Sequence, residues 1–465
     1  MKKLFYQPEP FFLTNKKYSE KAINNFSKEY MDFIEKSKTE RLSVIEIEKI
    51  VKSCGYQEIE LYSTIKKLPQ KFYIKFFNKN IVVVNLKKNI NNGINFIVSH
   101  IDTPHIDLKQ NPLTEMSDVL MFKTHYYGGI KKYQWLNIPL CLTGIVITRS
   151  GKTVNINIGN NENDPVLVIP DIAPHLSKRV QDPKIIKDAV TAEMLNAVAG
   201  TVFDKRNSKE KNKIKMFTLN ILNKKYGIIE EDLLTAELQL TPSLKPRFSG
   251  LDESIIAGYG HDDRACSFAS LKAILDIDMN KVSKTNISIF YDKEETGSDG
   301  PTGAQSLLAE DIINFILETT ESNLKVSNYR KIFLKSNAIS ADVNSVINPN
   351  FPDVFEPLNC SKIGYGAILT KFTGHGGKSS TNDANTEFIS QLARLFERDK
   401  VCWQIGSFSK VDEGGGGTIA KHISKYGCNV VDCGIGVMSM HSPYELISKY
   451  DLFSVYLAYK SFFTY

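Results

Sequence analysis

The sequence predicts an α/β domain, with helices on both faces of a sheet, that is interrupted by a β-rich insertion. In the first and last parts of the chain, short apolar runs typical of strands alternate with amphipathic helical stretches. This alternation favours a layered α/β fold. From about residue 112 the composition changes to strand-forming residues separated by Gly and Asn turns. We therefore expect residues 1–110 and 246–465 to form one domain and residues 111–245 to form the insertion.

The first part of the chain begins with two predicted helices. In residues 18–37 the apolar side chains recur at helical spacing, and a second helix within residues 43–55 ends at Gly55. Three strands then follow. Residues 72–77 and 81–86 form a predicted hairpin, and the strand at residues 94–100 ends at His100.

The insertion and the last part are predicted in the same way. The insertion has strands within residues 135–159 and 165–172 and a helix at residues 185–205. The last part has strands at residues 287–292, 331–342 and 429–435, and helices at residues 263–277, 303–319, 385–399 and 442–463.

Composition excludes several classes of protein. The 465 residues are 42% hydrophobic and 24% charged, which is ordinary for a globular protein. The net charge of +6 is mild and the basic residues are scattered, so we expect no nucleic-acid partner. Seven cysteines without a Cys-x-x-Cys pair argue against a disulfide framework or a structural zinc site. We find no signal peptide and no apolar run long enough for a membrane span, and we expect a cytoplasmic protein.

Acidic and histidine side chains follow five of the predicted strands or turns. In open α/β sheets, ligands bind beyond the carboxyl ends of the strands, so we expect these residues to meet on one side of one sheet. Each is ambiguous alone, because acidic residues are common in turns and at helix N-caps, and paired glutamates usually face solvent. The residues are His100 and Asp102, Asp262 and Asp263, Glu294 and Glu295, Asp342, and His441.

This mixture suits a two-metal hydrolytic centre. Two divalent ions about 3.5–4 Å apart need a bridging carboxylate and one or two further ligands each. Imidazole and carboxylate suit zinc, with cobalt or manganese as alternatives. A ligating histidine needs a carboxylate on its other nitrogen, and Asp102 lies two residues after His100. One of Glu294 and Glu295 would hold a metal and the other would take a proton from water, provided that an irregular turn orients both.

Five motifs in this order resemble the aminopeptidase I / aspartyl aminopeptidase family of di-metal exopeptidases. The motifs are SHIDTPH, YGHDDRACSF, DKEETGS, SADVNSVINPN and MSMHSPYE, and the stretch from KVDEGGGGTIAKH to MSMHSPYE resembles the bacterial aminopeptidase I branch. The resemblance covers the chain from about residue 90. It implies a metal-dependent aminopeptidase that removes the N-terminal residue from peptides. The implied fold is a zinc-peptidase-like three-layer α/β/α sandwich interrupted by a β-rich dimerisation domain.

The resemblance also implies roles for individual residues. Two divalent ions per subunit, zinc first, would be bridged by Asp262. His100 and Asp342 would complete one site, and Glu295 and His441 the other. Glu294 would be the general base and acid, with Asp102 as the partner of His100. Three residues are candidate substrate contacts. His175 is at the position of a family histidine that reaches a neighbouring subunit, and His375 and Lys378 lie in the segment KFTGHGGKSS. For each of them the alternative is a plain loop or surface role.

The family further implies a tetrahedral dodecamer built from dimers.

The sequence departs from the family's motifs at two positions near Asp342, where Ser345 and Asn348 replace histidines that many relatives carry. The segment KFTGHGGKSS also differs from the aspartyl-specific members, which weakens any expectation of acidic substrates. Gly414 to Gly417 would let backbone approach the substrate closely, or would form a flexible loop.

Two other classes of function remain as alternatives. GHGGKSS suggests a nucleotide-binding phosphotransferase, but the P-loop spacing needs Gly where Phe372 stands. A degenerate homologue could serve as a non-catalytic scaffold. The presence of all five predicted ligands and the predicted base favours the hydrolase.

Overall fold

The computed structural model describes residue 4, residues 6–320 and residues 328–465, and the chain divides into two compact units. The first unit comprises residues 1–102, 246–440 and 445–465. The second comprises residues 103–245 and 441–444. Among the described residues, no helix combines the length and the apolar character needed to cross a membrane.

The described residues contain twelve α-helices, several of them single turns. They are α1 (Phe11–Thr14), α2 (Glu20–Lys36), α3 (Glu40–Ser53), α4 (Pro174–Ser177), α5 (Ile186–Ala189), α6 (Lys213–Tyr226), α7 (His261–Leu275), α8 (Leu308–Thr320), α9 (Asn328–Leu334), α10 (Thr386–Asp399), α11 (Ala420–Ile423) and α12 (Lys449–Phe463).

The described residues also contain twenty strands, which form three sheets. They are β1 (Gln57–Glu58), β2 (Lys71–Phe76), β3 (Asn80–Asn85), β4 (Ile94–His100), β5 (His105–Met116), β6 (Val119–Tyr127), β7 (Leu140–Ile147), β8 (Thr153–Ile158), β9 (Ala197–Gly200), β10 (Glu237–Pro242), β11 (Arg247–Ser249), β12 (Ile255–Gly258), β13 (Thr285–Tyr291), β14 (Asn337–Ser340), β15 (Asn344–Ser345), β16 (Ala367–Thr370), β17 (Trp403–Ile405), β18 (Asn429–Gly434), β19 (Gly436–Met438) and β20 (Glu445–Ser448).

The first unit holds two of the sheets. Its nine-stranded sheet has the order β1-β2-β3-β13-β4-β14-β18-β16-β17, and the four central strands β13, β4, β14 and β18 run parallel. A smaller sheet has the order β11-β12-β20-β19-β15. Parallel central strands are buried on both faces, and all residues of these four strands except Asn429 are buried.

Alternate residues of the large sheet enter two separate cores. On β3, Ile81 and Val83 pack in one cluster with α2, α3, α7, α10 and α12, whereas Val82 and Val84 pack in another with α8, α9 and α11. Successive strand residues point to opposite faces of a sheet, so the sheet lies between two helical layers. The predicted α/β class with helices on both faces is therefore confirmed.

The second unit is built on one six-stranded antiparallel sheet with the order β8-β7-β10-β5-β6-β9. Its own core contains Ile106, Leu120, Trp135, Leu142 and Leu240, all at most 3% exposed.

The first two predicted helices form because their ends are capped and one face is apolar. Ser19 Oγ accepts the Ala22 N–H ahead of α2, and Thr39 Oγ1 accepts the Leu42 N–H ahead of α3. The buried stripe of α2 contains the apolar side chains that the sequence places on one face, which are Ile23, Phe26, Tyr30, Phe33 and Ile34.

Three predictions of local structure are wrong in part. The helix expected at residues 185–205 is limited to α5 and a 3-10 turn, because residues 197–200 pair with β6 instead. The strand expected at residues 331–342 starts only at Asn337, since Ile332 and Phe333 are buried as part of α9. The last helix begins at Lys449, because residues 445–448 pair with β12.

Candidate metal centre

His100 ends β4 and is 1% exposed. Its Nδ1 lies 3.0 Å from the carbonyl oxygen of Asp102 and 3.3 Å from Asp102 Oδ1. Both neighbours can only accept a hydrogen bond when Asp102 is ionised, so Nδ1 carries the proton. Nε2 therefore points towards Asp262 Oδ1, at 3.3 Å, and Asp342 Oδ1, at 3.8 Å, as the nitrogen able to bind a metal.

Asp102 connects His100 to the turn that carries the paired glutamates. The backbone N–H groups of Glu294 and Glu295 donate to Asp102 Oδ1 and Oδ2, both at 3.2 Å. The glutamates lie in a 3-10 turn between Lys293 and Gly297, both of which have left-handed backbone. The irregular turn that the pair was expected to need is thus present after β13.

Asp262 and Asp263 lie at the entry to α7, where both have non-helical backbone angles. The Asp262 N–H donates to Glu445 Oε2 at 3.1 Å, and Asp263 Oδ2 accepts the His100 N–H at 3.4 Å. The fully buried Arg264 holds this entry by donating to the carbonyls of Tyr259 and Gly260, each at 3.1 Å.

Asp342 follows β14 on the large sheet. The Ala341 N–H still donates to the Val98 carbonyl at 2.7 Å, so the chain stays beside β4 up to the position of Asp342. On the other side, a Cβ at Gly434 would lie 1.9 Å from the Asp342 carbonyl oxygen. Only glycine leaves room for this approach.

These residues form two overlapping groups whose ligand atoms lie within 4.8 Å of one another. One group is His100, Asp263 and Asp342, and the other is His100, Asp262 and Glu295. The strand-end prediction is corrected in one respect. His100, Glu295 and Asp342 follow strands of the large sheet, whereas Asp262 and Asp263 follow β12 of the smaller sheet.

The electrostatics reflect several carboxylates in a buried space. Burial raises the pKa of Asp263 well above its usual value and raises the pKa of Asp342. Burial also raises the pKa of Glu294 to about 8, against the opposing charge of His100. For His100, burial acts to lower the pKa, but hydrogen bonds to Asp102, Asp262 and Asp342 outweigh it and the pKa is raised.

The residues present fit a metal ion. Buried carboxylates repel one another when they are ionised, which is one reason why their pKa values rise. A bound divalent cation would favour their ionised forms instead. One imidazole nitrogen with several carboxylate oxygens is also a donor set that suits zinc.

His441, the fifth predicted ligand, belongs to the second unit and is in neither group. Within that unit, its Nδ1 lies 2.8 Å from the carbonyl of Gly129. Nδ1 therefore donates, and Nε2 is the ring nitrogen that carries the lone pair. This is the tautomer that a metal ligand requires.

The three predicted substrate contacts lie outside both groups. His175 is exposed in α4 of the second unit. In the first unit, His375 is exposed and its backbone pairs with Ser379. The Lys378 ammonium lies 2.8 Å from Asp383 and 4.1 Å from the centre of the Phe372 ring, so its charge already has a partner.

Asp263 is the residue to which sequence reasoning gave no role. It lies in the stretch HDDR, where an Asp before a helix is usually an N-cap. Its complete burial beside His100 is decided by the backbone at the α7 entry. Two adjacent acids shortly after a strand are the signal that the sequence offers.

The class of protein that this geometry indicates is a metal-dependent enzyme, and comparison with known proteins specifies the family. Residues 33–463 match the family described as aminopeptidase I zinc metalloprotease (M18). A probable M18 family aminopeptidase 1 of Borreliella burgdorferi is 42% identical over 447 residues, covering 95% of this chain and 96% of the relative. One from Thermotoga maritima is 41% identical over 439 residues, covering 94% and 95%.

Solved structures agree with this match. The M18 aminopeptidase of Thermotoga maritima superposes with a TM-score of 0.93 at 39% identity, covering 99% of both chains. Aminopeptidase I of Clostridium acetobutylicum superposes with a TM-score of 0.89 at 35% identity, and the match again covers 99% of both chains. The mApe1 dodecamer of S. cerevisiae shares the fold, with a TM-score of 0.77 at 21% identity over 96% of this chain and 97% of that one.

The chain belongs to the M18 family of aminopeptidase I zinc metalloproteases. It is an aminopeptidase, and therefore a hydrolase of the exopeptidase type, as the resemblance of its motifs implies.

Proposed function

We propose that this enzyme releases N-terminal residues from peptides with a pair of divalent metal ions and with Glu294 as its general base. The observation that carries the proposal is the pair of overlapping metal-binding groups centred on His100. When bound, divalent ions supply Lewis acidity, which lowers the pKa of coordinated water and polarises the scissile carbonyl.

The ligand roles follow the motifs and the geometry together. As the motifs imply, Asp262 would be shared by the two ions, His100 and Asp342 would hold one of them, and Glu295 and His441 would hold the other. Asp263 lies in the same group as His100 and Asp342, which supports a role beside that first ion. Zinc is the metal we propose first, with cobalt and manganese as alternatives.

Glu294 performs the proton transfers. Its neighbour Glu295 belongs to a metal-binding group and Glu294 does not, so Glu294 is the carboxylate left to act as a base. It takes a proton from the attacking water and gives a proton to the leaving amine, which is general acid–base catalysis. Burial raises its pKa to about 8 without metal, and bound divalent ions would favour its ionised form, which is the form that accepts a proton.

Substrate recognition is proposed from the sequence motifs. The free α-amino group of the peptide would bind a metal ion or a nearby carboxylate, which would restrict cleavage to the N-terminal residue. His375 and Lys378 contact the substrate, and His175 reaches the active site of a neighbouring subunit. The Lys378–Asp383 ion pair lowers the positive charge available to an acidic side chain, which favours neutral N-terminal residues.

We also propose a cytoplasmic homo-oligomer, assembled from dimers through the second unit into a tetrahedral dodecamer. The dodecamer of S. cerevisiae mApe1, which shares the fold, supports an oligomer. The second unit also exposes several large apolar side chains, which include Leu176, Ile185, Ile186 and Val202, each at least 60% exposed. Where such side chains form one contiguous patch, they mark a surface that another chain covers.

The test is fluorophore release from aminoacyl substrates carrying Leu, Met, Lys, Asp or Glu. Enzyme stripped by chelator is refilled with zinc, cobalt or manganese and compared with Glu294→Gln. We expect metal-dependent turnover in the wild type and a loss of roughly 10²–10⁴-fold in kcat in the variant at equal metal content. The exposed Glu387→Gln serves as the matched control. Absence of turnover on every substrate despite two bound ions per chain would instead support the non-catalytic scaffold.

A further inference from the structure

Asp432 is a buried carboxylate that the proposed mechanism does not use. It lies on β18 and is 3% exposed. Its neighbours in register are Ser340 on β14 and Thr370 on β16. Ser340 is two residues before Asp342, so Asp432 lies beside the strand that carries a candidate metal ligand.

Asp432 holds the end of the four-glycine loop, residues 414–417. Thr418, the next residue, donates from Oγ1 to Asp432 Oδ1 at 2.6 Å. Thr418 Oγ1 also accepts the Ala420 N–H at 3.3 Å, ahead of α11. One threonine side chain thus fixes the loop to β18 and to the following helix.

The glycine loop in turn carries the segment in which His375 and Lys378 lie, residues 372–381. The Gly374 N–H donates to the Gly416 carbonyl at 2.7 Å. A Cβ at Gly415 would lie 1.7 Å from the Gly374 carbonyl oxygen, so the two backbones touch and a side chain there is excluded. Displacing one loop therefore displaces the other.

The segment of residues 372–381 is also linked to β18 directly, since Asn382, the next residue, donates from Nδ2 to the Val430 carbonyl at 2.7 Å. The two loops also border a cavity of about 90 Å³, lined in part by Phe372, Gly374, Phe408 and Gly414. Its shape depends on where the loops are held.

We propose that Asp432 is a positioning residue that, through Thr418, fixes the two glycine-rich loops relative to Asp342 and so sets substrate affinity. This inference rests on the proposed function, because it assigns the two loops to the substrate site. The carboxylate does not touch the substrate and acts only through the loops.

The test compares Thr418→Val, which keeps the shape but removes the donor, with Thr418→Ser, which keeps the hydroxyl. For release of the Leu substrate we expect Thr418→Val to raise KM roughly ten- to a hundredfold, because misplaced binding groups have effects of this size. We expect kcat and metal content to stay close to those of the wild type, and Thr418→Ser to restore KM. The exposed Thr64→Val is the matched control.

Two further measurements keep the proposal testable. Amide hydrogen exchange should be faster in residues 372–381 and 414–418 of Thr418→Val than in the wild type. In a double-mutant cycle, adding Asp432→Val to Thr418→Val should raise KM no further, because each substitution removes the same hydrogen bond. If Asp432→Val does not fold, the two Thr418 variants decide alone.

An unchanged KM in Thr418→Val, or an equal defect in Thr418→Ser, would overturn the proposal. Unchanged exchange in both loops would do the same. A wild-type enzyme without any turnover would instead contradict the proposed function, and the exchange comparison would still decide whether Thr418 anchors the loops.

Discussion

At the scale of single residues, the two ring nitrogens of His100 have different tasks. Nδ1 is fixed by Asp102 and Nε2 faces the carboxylates of Asp262 and Asp342. Asp102 also accepts the backbone N–H groups of both glutamates. One carboxylate therefore orients a candidate ligand and the turn that carries the candidate base, which explains why it is buried without belonging to either metal-binding group.

Asp102→Asn should weaken metal binding. An amide keeps one acceptor oxygen but places an NH₂ group against a backbone N–H or against His100 Nδ1, so at least one contact becomes repulsive. Losing such an orienting partner costs roughly 10–100-fold in metal affinity. Zinc affinity measured by chelator competition checks this, with the exposed Asp353→Asn as control. Equal affinity in wild type and Asp102→Asn would show that the contact is dispensable.

At the scale of elements, the entry to α7 is fixed by buried polar contacts. His261 Nε2 lies 3.1 Å from the Ile256 carbonyl and therefore donates to it. Nδ1 must then accept from the Tyr30 hydroxyl of α2, at 2.6 Å. The helix that carries Asp262 and Asp263 is thus held to α2 and β12 by a neutral imidazole.

This arrangement makes stability depend on pH. Burial lowers the pKa of His261 to about 3, so the unfolded chain binds a proton near pH 6.5 that the folded chain does not. The free energy of unfolding is not reduced by this group above pH 6.5, and it decreases as the pH falls towards 3. At pH 5 this decrease is on the order of 2 kcal/mol.

Urea unfolding of the wild type and His261→Gln between pH 7.5 and 4.5, a range chosen to span the transition, measures this contribution. We expect the wild type to lose more stability across that range than the variant, whatever their difference at pH 7.5. Parallel curves would mean that His261 does not cause the acid sensitivity.

At the scale of the whole molecule, the candidate metal-binding groups unite segments that are far apart in the chain. His100, Asp262, Glu295 and Asp342 are separated by stretches of 33 to 162 positions and follow four different strands. The unfolded chain cannot hold these side chains together. Metal binding must therefore be coupled to folding of the first unit.

Removing the metal should lower the thermal stability of the protein. An ion that binds only the folded state stabilises it, and at ion concentrations 10²- to 10³-fold above Kd the melting temperature should rise by roughly 3–6 °C. Calorimetry of stripped and zinc-refilled enzyme, with metal content measured in parallel, checks this. A melting temperature that is the same with and without bound zinc would argue against a site in the folded core.

Sequence reasoning was most successful where one local signal was strong. The stripe of α2, the buried strand before Glu294 and the irregular turn at Glu294 and Glu295 were all predicted, and the structure confirms them. It failed at residues 185–205 and 331–342, where the same apolar residues suit a helix or a strand and tertiary pairing decides between them.

The sequence by itself determined the α/β class, the family, and the order and types of the candidate ligands, because alternation and motif chemistry are local properties of the chain. Only the tertiary structure decided that Asp263 is buried beside His100, that two sheets rather than one supply the groups, and that His441 belongs to the second unit. These features depend on contacts between segments far apart in sequence, and no local pattern encodes the distances between them.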